Sequence, residues 1–205
     1  MKKHSYDIIK IDKNLFMGEG GSRECYIHPD DPNLCIKTTK NKKYQRSVNR
    51  ETRYFKKLQK QNKSFQMISK YYGSVKTDRG EGEVFELVRD YDGKISQNLK
   101  YYFDLKDKTV EKKIVEQIEA LRVYLRKERI LFSDLCFHNV LAKKIDPEHF
   151  ELVVIDGIGH NQQIPIHEYA HAFADKRLDK KWEKFRVELI RDFGCKEEDV
   201  KHFFD

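Results

Sequence analysis

Apolar residues follow two different spacings along this chain. In the first half they form short runs bounded by glycine, proline or aspartate, and such runs predict β-strands. We predict strands at residues 7–16, 23–27, 34–38, 71–77 and 82–88. One helix is predicted at residues 47–61, because apolar and aromatic residues recur there among charges at near-helical spacing. The first half is therefore predicted to be a small antiparallel sheet with one helix.

Helical spacing dominates the second half. Apolar positions between residues 114 and 125 recur at steps of four and three, which predicts one amphipathic helix with a buried face. These positions are Ile114, Ile118, Leu121 and Leu125. Short strands are predicted near residues 140–142 and 152–155, and a further helical region after Pro165, through Phe193.

The length of 205 residues suits a single domain, since domains typically contain roughly 100–200 residues. Residues 89–94 are polar and contain a glycine, which predicts a linker. We therefore expect one domain, residues 1–205, with an N-lobe of about residues 1–90 and a C-lobe of about residues 91–205. The predicted fold class is α+β.

Composition excludes several classes of protein. Hydrophobic residues make up 39% and aromatic residues 12% of the chain, which is enough for a packed core and argues against disorder. The longest apolar runs are far shorter than the roughly 18 residues that span a bilayer, and no apolar signal segment follows the charged start. The four cysteines form no CxxC pair, so no disulfide framework is indicated. We expect a cytoplasmic protein without a membrane span.

The formal net charge is +7, from 41 basic and 34 acidic residues, and the basic excess is dense between Lys37 and Lys63. A basic surface attracts nucleic acid, anionic lipid or phosphorylated ligands over long range. Acidic and apolar residues also occur in that segment at helical spacing, so a solvated charged surface is the favoured interpretation. Nucleic acid is therefore not an expected partner.

Phosphoryl transfer requires a flexible loop over the phosphates, a cation that contacts them, oxygen ligands for magnesium and a group that positions the acceptor. The first half offers the first two. Backbone N–H groups in a glycine-rich turn can approach phosphate oxygens closely, and the candidates are Gly18, Gly20, Gly21 and Ser22. Lys37 interrupts an apolar strand, and Glu51 in the following helix could pair with it and direct it toward the α- and β-phosphates. The alternatives are an ordinary hairpin turn for the glycines, and an edge-strand lysine beside an unrelated glutamate for this pair.

The second half offers the magnesium ligands and the acceptor group. Asp134 begins a polar loop and Asn139 follows five residues later, so a carboxylate can face the acceptor while an amide oxygen faces a metal. Asp156 ends an apolar strand and precedes Gly157, which suits a second oxygen ligand for the same ion. We predict that Asn139 and Asp156 hold Mg²⁺ and that Asp134 accepts the proton of, or positions, an acceptor hydroxyl. An N-cap or Asx-turn role for either aspartate is the alternative.

In chain order and approximate spacing, this series of residues resembles the protein-kinase-like superfamily. More closely, four stretches resemble the PhoP regulatory network protein (YrbL) family, namely residues 23–30, 35–37, 71–75 and 91–94. The similarity runs from about residue 12 to 190. It implies a bilobal kinase-like fold with a reduced, mostly helical C-lobe, in a bacterial cytoplasmic protein that binds ATP and Mg²⁺. The expected function is an ATP-dependent kinase-like phosphotransferase (a transferase) acting on a small-molecule, sugar or protein hydroxyl.

Departures from the protein-kinase pattern raise a second hypothesis. Phe132 and Ser133 replace the usual His-Arg before the catalytic aspartate, Cys136 stands where protein-serine kinases carry lysine, and Ile158 follows Asp156–Gly157. A protein-substrate platform is poorly supported, since no Ala-Pro-Glu segment follows. These features favour a pseudokinase-like regulator that binds a nucleotide or a partner without turnover.

The segment His167–Glu168–Tyr169–Ala170–His171 matches the HExxH pattern of zinc hydrolases, in which two imidazoles share a helical face and the glutamate activates water. A third ligand would come from Glu183 or Glu188. This third hypothesis leaves Lys37 and the Asp134 loop unexplained, so we rank it below the kinase-like one.

Overall fold

The computed structural model describes residues 8–159 and 171–201. The chain divides by its contacts into two compact units. The first unit contains residues 1–60 and 69–88, and the second contains residues 61–68 and 89–205. The chain therefore leaves the first unit after α1, contributes a short segment to the second, and returns for two strands.

The first unit is a five-stranded antiparallel sheet with one long helix. Its strands are β1 (Phe16–Glu19), β2 (Arg23–His28), β3 (Asp31–Thr39), β4 (Tyr71–Thr77) and β5 (Gly80–Glu86), and its helix is α1 (Gln45–Lys60). The strand order is β1-β2-β3-β5-β4. Short 3-10 turns at Lys13–Leu15 and Lys42–Tyr44 precede β1 and α1.

The two faces of this sheet bury different residues, because side chains alternate along each strand. Ile36 and Val84 are directly paired on one face and form an apolar cluster with Tyr26 and Ile11. The helix α1 packs on the opposite face. Three aromatic rings make that contact, with the Phe55 centroid 5.3 Å from Phe85 and 5.8 Å from Tyr71.

The second unit is mostly helical. Its helices are α2 (Leu99–Asp104), α3 (Lys108–Val115), α4 (Ile118–Lys127), α5 (His171–Phe193) and α6 (Glu197–Lys201), and its strands are β6 (Gln97–Asn98), β7 (Val140–Lys144) and β8 (Phe150–Val154). The hairpin of β7 and β8 forms a three-stranded sheet with β6 at its edge. Residues 61–68, which the chain contributes to this unit before it returns to the first, contact the hairpin through a hydrogen bond from Val154 N to Met67 O at 2.9 Å.

The other predicted strands and the first helix are confirmed in kind, with small shifts at their ends, but of the strand predicted at residues 7–16 the described residues before Phe16 form no strand. Apart from a single bridge between Ile9 and Thr77, that segment lies outside the sheet as far as Leu15. Asp12 explains the difference, because its side chain accepts a hydrogen bond from Asn14 N at 2.8 Å and caps a helical turn. The sheet therefore starts at Phe16.

The single helix expected across residues 114–125 is also wrong, because the chain breaks between α3 and α4. Gln117 N donates to Ile114 O, a tightened turn that ends α3. Ile114 and Ile118 are both fully buried on either side of the break, so the apolar spacing continues although the helix does not. The short elements β6 and α2 were not predicted at all. The helix predicted after Pro165 is present from His171 to Phe193, and residues 166–170 lie outside the described range.

Among the described residues, no helix combines the length and the apolar character that crossing a bilayer requires.

Truncating Phe55 tests the packing of α1 on the sheet. We expect Phe55→Ala to lower the free energy of unfolding by about 3–5 kcal/mol, because the side chain is 1% exposed and its loss leaves a cavity between three rings. Urea denaturation measures the change. The neighbouring exposed Lys56→Ala is the matched control and should stay within about 0.5 kcal/mol. Equal effects would contradict the packing described here.

Candidate functional site

The loop between Phe132 and β7 alternates buried and exposed side chains. Leu135 and Phe137 are buried, whereas Asp134 and His138 are exposed. Phe137 stacks on Phe185 of α5, with the ring centroids 4.8 Å apart and the planes 17° apart. Burial of the apolar positions thus leaves the Asp134 carboxylate facing outward from an anchored loop.

A second set of contacts ties this loop to the segment after β8. Phe132 and Ile158 form an antiparallel bridge, and Gly159 N donates to Leu131 O at 2.8 Å. The Gly157 carbonyl accepts two hydrogen bonds from Ser133, one from the backbone N–H at 2.7 Å and one from the hydroxyl at 3.1 Å. The loop that carries Asp134 and the loop that carries Asp156 are therefore one connected structure.

Gly157 is the residue that permits this close approach. Its φ is +74°, in the left-handed region that favours glycine. A Cβ at this position would lie 2.3 Å from the backbone oxygen of Asp134 and 3.3 Å from the side-chain nitrogen of Asn139. Any other residue would thus push apart the two loops that hold the predicted site residues.

Hydrogen bonds orient both predicted metal ligands. Asn139 Nδ2 donates to Asp134 O at 3.2 Å, so the amide is fixed with its oxygen at the opposite end. Asp156 Oδ1 accepts from Gly157 N at 2.7 Å. Asn139 also links the loops through its backbone, since its carbonyl accepts from Ile155 N at 2.9 Å. Both side chains are half-buried.

These two side chains form a sparse set of candidate metal ligands. Within the described ranges, no group of three or more histidine, cysteine, aspartate or glutamate side chains is close enough to hold a metal ion. One carboxylate and one amide oxygen suit Mg²⁺, which commonly keeps water and takes its other ligands from substrate phosphates. They do not suit a structural zinc site, which needs four protein ligands.

The helix α5 supports the Asp134 loop from beneath. Lys181 Nζ donates to the carbonyl oxygen of Ser133, the residue directly before Asp134. The adjacent Trp182 is 3% exposed and packs edge-on against Phe132, with the ring centroids 5.9 Å apart. The chain therefore supports this loop with a lysine and a tryptophan, although it lacks the usual His-Arg sequence.

Cys136 lies within the same loop, two residues after Asp134. Burial raises the pKa of its thiol, and the neighbouring Asp134 charge raises that pKa further. The thiol therefore remains neutral at physiological pH, and it adds no negative charge beside Asp134.

The glycine-rich turn lies in the first unit, between β1 and β2. Gly18 belongs to β1, and the turn closes where Gly20 N donates to Arg23 O at 2.9 Å. A Cβ at Gly18, Gly20 or Gly21 would meet no atom within 4 Å among the described residues. None of the three has a positive φ. Local packing therefore does not require glycine here.

Lys37 and Glu51 both lie on the side of the sheet that α1 covers. Lys37 is 8% exposed, and its Nζ lies 4.7 Å from the ring centroid of Phe85. Glu51 extends from α1 and accepts a hydrogen bond at 2.5 Å from Arg23 Nη1, in a pair whose side chains are 8% (Arg23) and 12% (Glu51) exposed. The cation that contacts Glu51 in the structure is therefore Arg23, which the sequence analysis did not select.

A second buried carboxylate lies opposite Lys37. Glu83 of β5 is directly paired with Lys37 of β3, so the two side chains share one face of the sheet. Glu83 is 4% exposed, and its Oε2 accepts hydrogen bonds from Tyr71 OH at 2.6 Å and from Ser74 Oγ at 2.9 Å. The pKa of Tyr71 is raised, mainly because its phenol is buried and secondly because it donates a hydrogen bond to Glu83, so the phenol stays protonated.

The sheet and α1 thus enclose two cations and two anions, namely Arg23, Lys37, Glu51 and Glu83. Buried charges are costly unless opposite charges and hydrogen bonds compensate them. Sequence reasoning found Lys37 and Glu51 but missed Arg23 and Glu83. Glu83 could not be selected without the strand register, because it lies opposite Lys37 only when β5 is paired with β3.

The predicted site residues fall into two groups. The glycine-rich turn, Ser22, Lys37 and Glu51 belong to the first unit, whereas Asp134, Asn139 and Asp156 belong to the second. Of the HExxH pattern, His167 and Glu168 lie outside the described residues, as does the side chain of His171. That metal prediction therefore stays a prediction.

Substituting Gly157 tests the close approach of the two loops. Gly157→Ala should lower the free energy of unfolding by more than Gly93→Ala, although both glycines have φ near +80°. The matched control Gly93→Ala should lose only about 1–2 kcal/mol, the cost of placing a residue with a Cβ in the left-handed backbone region, since a Cβ at Gly93 meets no atom within 4 Å. At Gly157 the clash should add roughly 1–3 kcal/mol. Equal losses in urea denaturation would refute the close contact.

Comparison with known proteins finds relatives that match most of the 205-residue chain. The YrbL proteins of Escherichia coli strain K12 and of Shigella flexneri are each 28% identical over 181 residues, which covers 87% of this chain and 86% of theirs. Among solved structures, a crystal structure of Rad53 in complex with AMP-PNP matches with a TM-score of 0.61 and 16% identity. That match covers 94% of this chain, which spans about half of the Rad53 chain (51%).

The low identity to Rad53 limits that likeness to the fold, which is α+β and protein-kinase-like. A family model gives the more specific result. The model described as PhoP regulatory network protein YrbL matches residues 9–190. The chain belongs to the PhoP regulatory network protein YrbL family.

Proposed function

We propose that this protein is an ATP- and Mg²⁺-dependent phosphotransferase that acts on a hydroxyl acceptor. The observation that carries the proposal is that one connected pair of loops in the second unit carries Asp134, Asn139 and Asp156. Asp134 is exposed on an anchored loop, while Asn139 and Asp156 are oriented by hydrogen bonds to the same loop pair. Positioned oxygen ligands and a positioned base are what phosphoryl transfer requires of a protein.

The proposed magnesium ligands are the side-chain oxygens of Asn139 and Asp156. The amide nitrogen of Asn139 is already engaged by the Asp134 carbonyl, so its oxygen is the end that can face a cation. Phosphate oxygens and water would supply the remaining ligands of an octahedral ion. When bound, the ion neutralises charge on the transferred phosphoryl group.

Asp134 is the proposed acceptor group. As the acceptor hydroxyl oxygen bonds to the γ-phosphorus, the bond from that phosphorus to the ADP oxygen breaks, and Asp134 accepts the hydroxyl proton. Its exposure suits this role, since a small or extended acceptor can reach the carboxylate from solvent. The neutral Cys136 thiol next to it places no second negative charge near the incoming phosphates.

The first unit is proposed to hold the nucleotide phosphates. Lys37 is a buried cation among compensating carboxylates, and its ammonium would contact the α- and β-phosphates. Gly18, Gly20 and Gly21 are not needed for local packing, which favours close approach of a ligand as the reason for their small size. The AMP-PNP bound by Rad53, a protein of the same fold, also supports nucleotide binding.

The pseudokinase alternative depends on the missing His-Arg support of the Asp134 loop. Lys181, Trp182 and the Ser133 hydroxyl occupy that role in this chain, so the missing dipeptide is not an argument against turnover. We therefore favour the active transferase.

Replacing the acceptor group separates chemistry from binding. Asp134→Asn should lower kcat for phosphoryl transfer by about 10²–10⁴-fold and leave nucleotide affinity unchanged, because the amide keeps the shape but cannot accept the proton. Asp156→Asn is the matched comparison and should weaken Mg²⁺-dependent nucleotide binding. ADP release with candidate hydroxyl compounds and calorimetry with ATP and Mg²⁺ measure the two effects. Wild-type protein that binds ATP and Mg²⁺ but never releases ADP would support the pseudokinase alternative.

Substituting Lys181 tests the support of the Asp134 loop by α5. Lys181→Met should lower kcat about tenfold without changing the affinity for nucleotide, since about 1.4 kcal/mol of loop positioning is lost at a distance from the phosphates. Lys181→Arg should restore most of kcat, because a guanidinium can still donate to the Ser133 carbonyl. Equal kcat in all three proteins would show that this hydrogen bond does not position the loop.

A further inference from the structure

The net positive charge of this chain comes from one short segment. Between Lys40 and Lys63 there are ten basic residues and a single acidic residue, Glu51. Of the 41 basic and 34 acidic residues in the chain, 31 and 33 therefore lie elsewhere, which is close to balance. The positive charge is thus a local feature of α1 and its flanks.

The fold places these charges on one side of α1. The buried side contains apolar and small polar residues, namely Val48, Thr52, Tyr54, Phe55 and Leu58. The exposed side contains Arg46, Arg53, Lys56 and Lys60, whose spacings of seven, three and four residues align them on one helical face. We name these four residues the α1 basic stripe. Glu51, the only acidic residue of the segment, is turned inward to Arg23.

Counter-charges are missing along the stripe. None of its four side chains forms an ion pair or a hydrogen bond with any side chain or backbone group that the structure describes. Elsewhere in the protein, exposed basic residues commonly have acidic neighbours, as Lys100 has Asp104 and Arg186 has Glu183. Like charges four residues apart repel each other on an isolated helix, so the stripe is a small cost to stability. An external polyanion would relieve that repulsion.

We propose that the α1 basic stripe binds the phosphodiester backbone of nucleic acid without reading its sequence. The sequence alone favoured a solvated charged surface for this segment. The structure favours a binding surface instead, because the four basic side chains share one helical face and Glu51 points away from it. The stripe extends over 14 residue-to-residue steps from Arg46 to Lys60, or about 21 Å at 1.5 Å per step. Phosphates recur about every 3.4 Å along each strand of a duplex, so several fall within reach.

The composition of the stripe favours nucleic acid over other acidic partners. Protein interfaces are usually centred on aromatic or aliphatic anchors and are depleted in lysine. Helices that lie on membranes insert a large apolar face. Among the described residues of the first unit, the exposed large hydrophobic ones are Ile8, Phe16 and Tyr72, and none of them belongs to α1. A row of cations with no exposed apolar anchor matches contact with phosphate groups.

Charge removal on the stripe tests the proposal, with binding measured by fluorescence anisotropy against duplex DNA, duplex RNA and a single strand. The test protein carries Arg46→Gln, Arg53→Gln, Lys56→Gln and Lys60→Gln. We expect wild-type binding at about 50 mM salt, with affinity that falls steeply as salt rises. In the test protein the slope of log K against log salt on duplex DNA should decrease by about 3–4, since each phosphate contact contributes about 0.9.

A matched control carries Lys70→Gln, Lys112→Gln, Lys127→Gln and Lys180→Gln, which removes the same charge from exposed positions outside α1. It should lose at most a small part of the affinity and of the slope. Thermal unfolding verifies that both proteins fold. Because neither set includes a proposed catalytic residue, the result is independent of whether phosphoryl transfer is demonstrated.

Four outcomes would overturn the proposal. They are no wild-type binding at low salt, an equal loss in the control protein, an unchanged slope in the test protein, and binding to polyglutamate or to anionic vesicles as tight as to the duplex. The single-stranded probe tests whether the contact is with the backbone. If the test protein loses affinity for duplex and single strand alike, the contact is with the phosphodiester backbone that both share.

Discussion

The two hydrogen bonds that Ser133 donates to the Gly157 carbonyl are the constraint on which the candidate site depends. They bring two loops so close together that position 157 cannot carry a Cβ. The closeness lets Asn139 span both loops, since its side chain reaches the Asp134 carbonyl while its own carbonyl accepts from Ile155. The close contact between these two loops thus determines the orientation of the Asn139 side chain.

A different kind of constraint acts in the first unit. There the sheet and α1 enclose two cations and two carboxylates, an arrangement that is costly unless the charges compensate each other. Hydrogen bonds from Tyr71 and Ser74 satisfy Glu83, and Arg23 pairs with Glu51. The gain from such a cluster is a defined position for Lys37, which a fully apolar interior would not provide.

Local patterns predicted the features whose cause is local. The strand at residues 71–77 and the polar loop between two apolar strands follow from alternation and turn residues, so both could be predicted. The interruption between Ile114 and Ile118 could not, because the apolar spacing is identical with or without it. Asp12 misled the strand prediction through a side-chain cap, which apolar spacing does not register.

For the candidate site, the order of Asp134, Asn139 and Asp156 along one hairpin was enough to select them. Lys181 escaped notice because it contacts Ser133 across 48 residues of sequence, and a lysine on a charged helix carries no signal of its own. Glu83 and Arg23 escaped for the same reason. Strand register places Glu83 opposite Lys37, and helix packing brings Lys181 to Ser133; neither can be deduced from spacing in a single sequence.

The packing of Trp182 against Phe132 has a practical consequence. The chain contains one tryptophan, and that indole lies in van der Waals range of the residue two positions before Asp134. Its emission spectrum therefore responds to the environment directly beneath the loop, without any attached dye. Trp182 is therefore an intrinsic fluorescent probe of the loop that carries Asp134.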